Sequence, residues 1–267
     1  MKVIPRRKRS TEERTGTMTV VEHLQELRRR LIICLYALAA GSVVGWFLYP
    51  HFMNLITAPY CDYLAAHPEQ ALATKVPTSA DCTLFITGPI DATLVKIKVV
   101  VFLGLVVALP VVLYQLWAFV APGLTAKEKK YSIPFVVSAF VLFLLGVVIA
   151  YVMLPKGFNF LLGFAGEGVV PLLTADRYVG FVVLVALAFG VSFLFPIFLV
   201  FLELAGILSP QTLSKYRRYS ILGIAIFAAV ITPSSDPYTM LAIMIPMYLF
   251  YEASIIIGRF LQRSRVT

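Results

Sequence analysis

The chain of 267 residues is poor in charge, with 14% Asp, Glu, Lys and Arg where soluble domains carry about 25%. It has three histidines, none with a metal-ligand neighbour at helical spacing, and three cysteines. No HExxH, GxSxG or phosphate-binding loop occurs. These shortages argue against a water-soluble enzyme. They leave no metal site, no cofactor site and no nucleophile with its base, so none of these is expected.

What is abundant is apolar: 60% of residues are hydrophobic and the mean hydropathy is +0.87. Apolar runs fall at 31–49, 99–120, 133–154, 178–202, 219–231 and 238–257. A crossing helix needs about 20 residues, so the first four runs and the sixth are long enough. The fifth rises only about 20 Å against a hydrocarbon core of about 30 Å, and should thin the lipid or be shielded by a partner. The fold class expected is all-α, a polytopic integral membrane protein of six transmembrane helices. Residues 1–19 are expected to form a disordered cytoplasmic tail, 20–259 a single membrane domain and 260–267 a cytoplasmic C-terminal tail.

The net charge of +9 is unevenly placed. Alternate connections hold 18 Lys and Arg on one side of the runs and 5 on the other. By the positive-inside rule both termini lie in the cytoplasm and the protein in the plasma membrane. The basic excess orients helices and names no nucleic acid. Arg28, Arg29 and Arg30 before an apolar stretch imitate a secretory signal, but the run is long and five more follow. An uncleaved first helix is expected.

The long connection over 50–98 then lies outside and holds Cys61 and Cys82, with Cys34 in the first span. A Cys61–Cys82 disulfide is expected on the oxidising face, two free thiols being the alternative. Pro110, Pro134, Pro155, Pro196, Pro233, Pro237 and Pro246 stand in or beside the spans. Bent helices and a concave wall follow. The tight turn TPSSDP makes the last two helices a short hairpin with Asp236 at its outer tip.

Within the apolar runs the one carboxylate is Glu252, and Glu203 ends the fourth. Both read as interfacial anchors, which speaks against a carrier with a charged midplane site. On the cytoplasmic rim, Thr19-Val20-Val21-Glu22 and Thr125-Ala126-Lys127-Glu128 read as capping boxes. Val20, Leu24, Leu27 and Leu31 fall within about 60° of one another on a helical wheel, with Glu22, Glu26, Arg29 and Arg30 on the far side. Glu26 has no capping duty. It can pair with Arg29 or Arg30, or accept an arginine from elsewhere, and Glu128 can cap while offering its second oxygen. Two rim carboxylates on different helices are suited to two neighbouring arginines of a peptide.

HLQELRRRL (23–31), LPVVLYQLWAFVAPGLTAKEKK (109–130), FGVSFLFP (189–196) and IPMYLFYE (245–252) closely resemble the TatC family, the core subunit of the twin-arginine protein translocase. The resemblance runs from about Val20 to Arg259. It implies a concave, cupped bundle with short fifth and sixth helices, which binds twin-arginine signal peptides. It also implies single-span partners of the TatA and TatB types, self-association in a larger complex, and export of folded proteins driven by the proton-motive force. Glu26 and Glu128 match the family's signal-peptide glutamates, and Phe119, Pro59 and Asp236 match further sensitive positions. Thr232 matches a polar position at a partner-binding edge. Some members carry a glutamate in the fourth span where this chain has Leu194, so a polar contact at that height is not expected. The competing reading, a secondary transporter for a small solute, would need a midplane polar site for which the sequence offers only hydroxyls and bent helices.

Overall fold

The structure, a computed structural model, describes residues 20–66, 84–120, 132–163, 174–204, 207–232 and 237–266. Among them are helices α1 (Val20–Ala66), α2 (Pro89–Val120), α3 (Ser132–Gly163), α4 (Ala175–Leu204), α5 (Pro210–Lys215), α6 (Arg217–Ile231) and α7 (Pro237–Val266). Five of these, α1 to α4 and α7, are long and apolar enough to cross a membrane. The α6 helix has 15 residues and rises about 22 Å. The fold is the all-helical polytopic class expected.

The helices outrun the apolar runs. Expected to end at Tyr49, α1 continues through Pro50 and Pro59 to Ala66 and reaches 47 residues. Expected to begin near 99, α2 begins at Pro89. The lysines that interrupt the run are absorbed by neighbours. Lys96 Nζ lies 3.5 Å from the Trp46 ring centroid, and Lys98 Nζ lies 2.5 Å from Asp176 Oδ1 at the start of α4. Likewise α7 runs past Arg259 to Val266, because no Pro or Gly follows Gly258 to stop it.

Pro59 explains why a helix can pass a proline here. A proline at position i removes the hydrogen bond to carbonyl i−4 and its ring crowds that turn. The i−4 and i−3 carbonyls of Pro59 are those of Leu55 and Ile56. The Tyr151 hydroxyl of α3 donates to the Leu55 carbonyl at 3.1 Å, and the Tyr178 hydroxyl of α4 donates to the Ile56 carbonyl at 2.6 Å. Pro59, Ile56 and Tyr60 are buried at this joint, with Tyr60 and Tyr178 rings 5.4 Å apart. The proline is thus a joint between three helices.

The core is centred on α4. Of its apolar window 56% is buried, against 11% for α1, so α1 is a wall that shows most of its surface outward. Val179, Phe189 and Phe193 of α4 are wholly enclosed, as are Val99 of α2 and Ile243 and Ile255 of α7. Small residues bring the wall in. A Cβ on Gly41 would lie 2.4 Å from the Gly104 carbonyl oxygen, and one on Gly45 2.8 Å from that of Val100. The GSVVG stretch of α1 therefore rides on the backbone of α2, as small-xxx-small faces do between membrane helices. At the rim opposite the start of α1, the Ala175 N–H donates to the Phe85 carbonyl at 2.7 Å and joins the entries to α2 and α4.

Tyr151→Phe and Tyr178→Phe should each lower stability in detergent by about 1–2 kcal/mol. The Tyr151→Phe loss should vanish in a Pro59→Ala background, where the new N–H reaches the Leu55 carbonyl. Thermal unfolding of the four variants checks this.

Candidate functional site

The rim where α1 begins and α2 ends joins the two helices by a ring stack and a shared guanidinium. His23, Glu26 and Arg30 are spaced by three and four residues, so their side chains share one face of α1. That face turns inward onto α2. The His23 ring stacks on Phe119 with centroids 4.6 Å apart and planes at 29°. Arg30 Nε donates to Glu26 Oε1 at 3.1 Å, a second guanidinium nitrogen contacts the same oxygen, and Nη1 donates to Gln115 Oε1 at 3.2 Å. The apolar stripe of Leu24, Leu27 and Leu31 faces outward and is 44–58% exposed. A soluble helix would do the reverse. Lipid accepts the stripe, and the polar face needs the protein.

Glu26 is therefore occupied by Arg30, one of its two sequence-expected local partners. Its carboxylate and the arginine side chain keep 22% and 20% of their exposure, so the cluster is open to a ligand. His23 and Gln115 were not singled out as site residues from sequence. His23 carried a usable signal, the same wheel face as Glu26. The contact of Gln115 with Arg30 spans 85 residues and no local pattern announces it.

The other expected residues are scattered. Pro59 lies at the tyrosine joint of α1 described above. Thr232 ends α6, is 4% exposed, and donates its hydroxyl back to the Ala228 carbonyl, which caps the helix. Leu194 packs against the cluster of Leu109, Leu113, Ala139 and Phe143, an apolar setting. Cys61 is disulfide-bonded and Cys34 is a free thiol. Glu128, Asp236 and Cys82 lie outside the described residues.

At the same end of α2 but on its opposite face, the ring of Trp117 stands with those of Phe135 and Phe201, 4.5 to 6.1 Å apart. They close one end of an apolar cavity of about 420 Å³ between α3, α4 and α7, also lined by Pro196, Phe250 and Ser254. The two carboxylates expected as anchors differ. Glu252 of α7 takes an ion pair from Arg217 of α6 at 2.8 Å. Glu203 is half-buried, its two oxygens enclosed with no hydrogen-bond partner among the described residues. It fills the notch over Gly258, where a Cβ would lie 2.1 Å from its Oε2.

Chemically, the rim offers carboxylate and amide oxygens beside aromatic faces, and the cavity offers hydrocarbon. Such a set has the acceptors for a cation and the surface for apolar groups. Among the described residues no three His, Cys, Asp or Glu side chains gather as a metal site. The fold defines a multi-pass helical membrane protein.

The comparisons with known proteins narrow this class. The family described as Sec-independent protein translocase protein (TatC) matches residues 22–246. A TatC of Frankia casuarinae is 42% identical over 253 residues, covering 95% of this chain and 68% of that protein. A TatC of Aquifex aeolicus is 37% identical, covering 93% and 98%. A crystal structure described as the twin-arginine translocase receptor TatC superimposes with a TM-score of 0.69 at 35% identity, covering 90% of this chain and 99% of that one. The chain belongs to the TatC family of Sec-independent protein translocase components. These relatives are named for transport rather than for catalysis.

Gly258→Ala should change stability by less than about 1 kcal/mol, because the new methyl meets only the far end of the flexible Glu203 side chain, which can move aside. Glu203→Ala alone should be neutral or stabilising, since no hydrogen bond to a described residue is lost. Melting temperatures of the two variants decide.

Proposed function

We propose that this chain is the receptor subunit of a twin-arginine translocase, with the basic rim in the cytoplasm. The observation that carries the reading is Glu26. Its carboxylate already holds a guanidinium, shared with Gln115 and flanked by the stacked His23–Phe119 pair. A site that binds an internal arginine has the right chemistry for a peptide arginine. Charge-assisted contacts of this kind contribute about 1.5–3 kcal/mol each. Glu128, on the segment after α2, supplies the second carboxylate in this proposal, and Phe119 borders the peptide. The apolar part of the signal follows the hydrocarbon surface of the apolar cavity.

Partner subunits of the TatA and TatB types dock on α6 and α7. The shortness of α6 and its outward face, with Leu222, Ile226 and Val230 59%, 57% and 81% exposed, support this site, as a short helix gains from a neighbour that shields it from lipid. Asp236 and Thr232 then belong to the hairpin that frames the dock. Assembly into a larger complex, self-association included, moves folded cargo across the plasma membrane with the proton-motive force. Residues 1–19 and 260–267 are cytoplasmic tails of one membrane domain. A Cys61–Cys82 disulfide sits on the opposite, oxidising side, and a disulfide-bonded Cys61 at the far end of α1 supports that orientation.

Glu26→Gln and Glu128→Gln should each abolish binding of a twin-arginine peptide to membranes containing the protein, with protein level and melting temperature unchanged. Normal binding by both would refute the proposal. Alkylation before reduction should modify Cys34 alone, and reduction should expose two further thiols.

A further inference from the structure

Arg30 stands where an arriving arginine would have to go. A guanidinium has five donors in a planar fork. Arg30 directs three of its nitrogens to two acceptors on two helices, Glu26 Oε1 of α1 and Gln115 Oε1 of α2. The spacing of four residues lets the pair form within one helix, with no other element to order. The cluster is one-fifth exposed, so the acceptors are neither sealed nor idle. They are filled.

We infer that Arg30 is a resident guanidinium that holds the acceptors in the unliganded chain, and that a peptide binds the rim by displacing it. The inference rests on the arginine-reading role proposed above for Glu26. Its consequence is a threshold. If the pair is closed most of the time, the affinity of every ligand that needs Glu26 falls by the fraction of time the carboxylate is open. A partly buried pair with an added hydrogen bond is closed over open by about five- to tenfold. One guanidinium arriving at Glu26 exchanges like for like, so that contact alone adds little. A lysine does worse, because its compact, strongly hydrated ammonium cannot reproduce the planar fork between two acceptors. A second adjoining arginine brings contacts that Arg30 never made. The resident arginine thereby removes weak single cations from the range of useful binding and leaves the pair within it.

The test uses the full chain in lipid nanodiscs and three labelled signal peptides identical but for Arg-Arg, Lys-Arg or Lys-Lys. Arg30→Met should tighten all three by about five- to tenfold, and bring Lys-Arg into measurable binding. Arg30→Lys, which keeps the charge but loses the fork, should tighten them by about two- to threefold, and decides the matter should Arg30→Met fail to accumulate. Arg29→Met removes an equal charge from an exposed neighbour and should change little. A gain as large from Arg29→Met would make the effect general repulsion and overturn the inference. Unchanged or weaker binding in the Arg30 variants would also overturn it, since Arg30 would then support the site. The gain should disappear in a Glu26→Gln background. Should Glu26→Gln alone bind as well as the parent, the arginine-reading role itself is wrong. Should it lose binding while Arg30→Met gains nothing, that role stands and only the resident arginine falls.

Discussion

Where lipid or packed side chains keep water away, a polar group that loses its regular partner needs another from within the protein. Much of this molecule is arranged by that demand. Pro59 strips a donor from α1, and Tyr151 and Tyr178 reach in from α3 and α4 to serve the two carbonyls nearest the break. Those bonds join a wall helix to the central helix of the fold. Lys98 finds Asp176, Lys96 finds the face of Trp46, and Arg217 finds Glu252. Among the described residues the exception is Glu203, whose carboxylate oxygens are buried over Gly258 without a hydrogen-bond partner.

The same demand builds the rim. The first turns of α1 have an apolar stripe and a polar face, and lipid takes the stripe. The polar face therefore has to meet α2, where Phe119 stacks on His23 and Gln115 receives Arg30. Close backbone approach lower down makes this meeting possible. The Gly41 and Gly45 notches let α1 lie on the backbone of α2, and a wall held at ordinary spacing would carry its rim residues away from Gln115. The rim contacts thus depend on buried glycines lower in α1 and α2.

Much of the fold was legible from sequence because hydropathy is periodic and long-lived along the chain. The crossing runs, the short α6 and the amphipathic start of α1 all follow from it. Helix ends were not. Pro50 and Pro59 read as a stop after Tyr49, and Lys96 with Lys98 read as a break before α2, since each is locally costly. Partners distant in sequence offset those costs. At the site, Glu26 and Phe119 were found through position and motif, while the role of Gln115 depends on a contact 85 residues away. Thr232 read as a polar edge residue, and its burial with the hydroxyl turned back on Ala228 carried no sequence signal.

What the sequence determined by itself is the class of molecule: a helical, multi-pass membrane protein with a basic rim and the motifs of its family. Hydropathy and charge add along the chain residue by residue and need no partner to be counted. What only the tertiary structure decided is which groups answer one another: the tyrosines that carry α1 past Pro59, the glycine notch that lodges Glu203, and the glutamine of α2 that shares Arg30 with Glu26. These depend on distances between residues remote in sequence, and a hydrogen bond is lost within an ångström or so of its proper length.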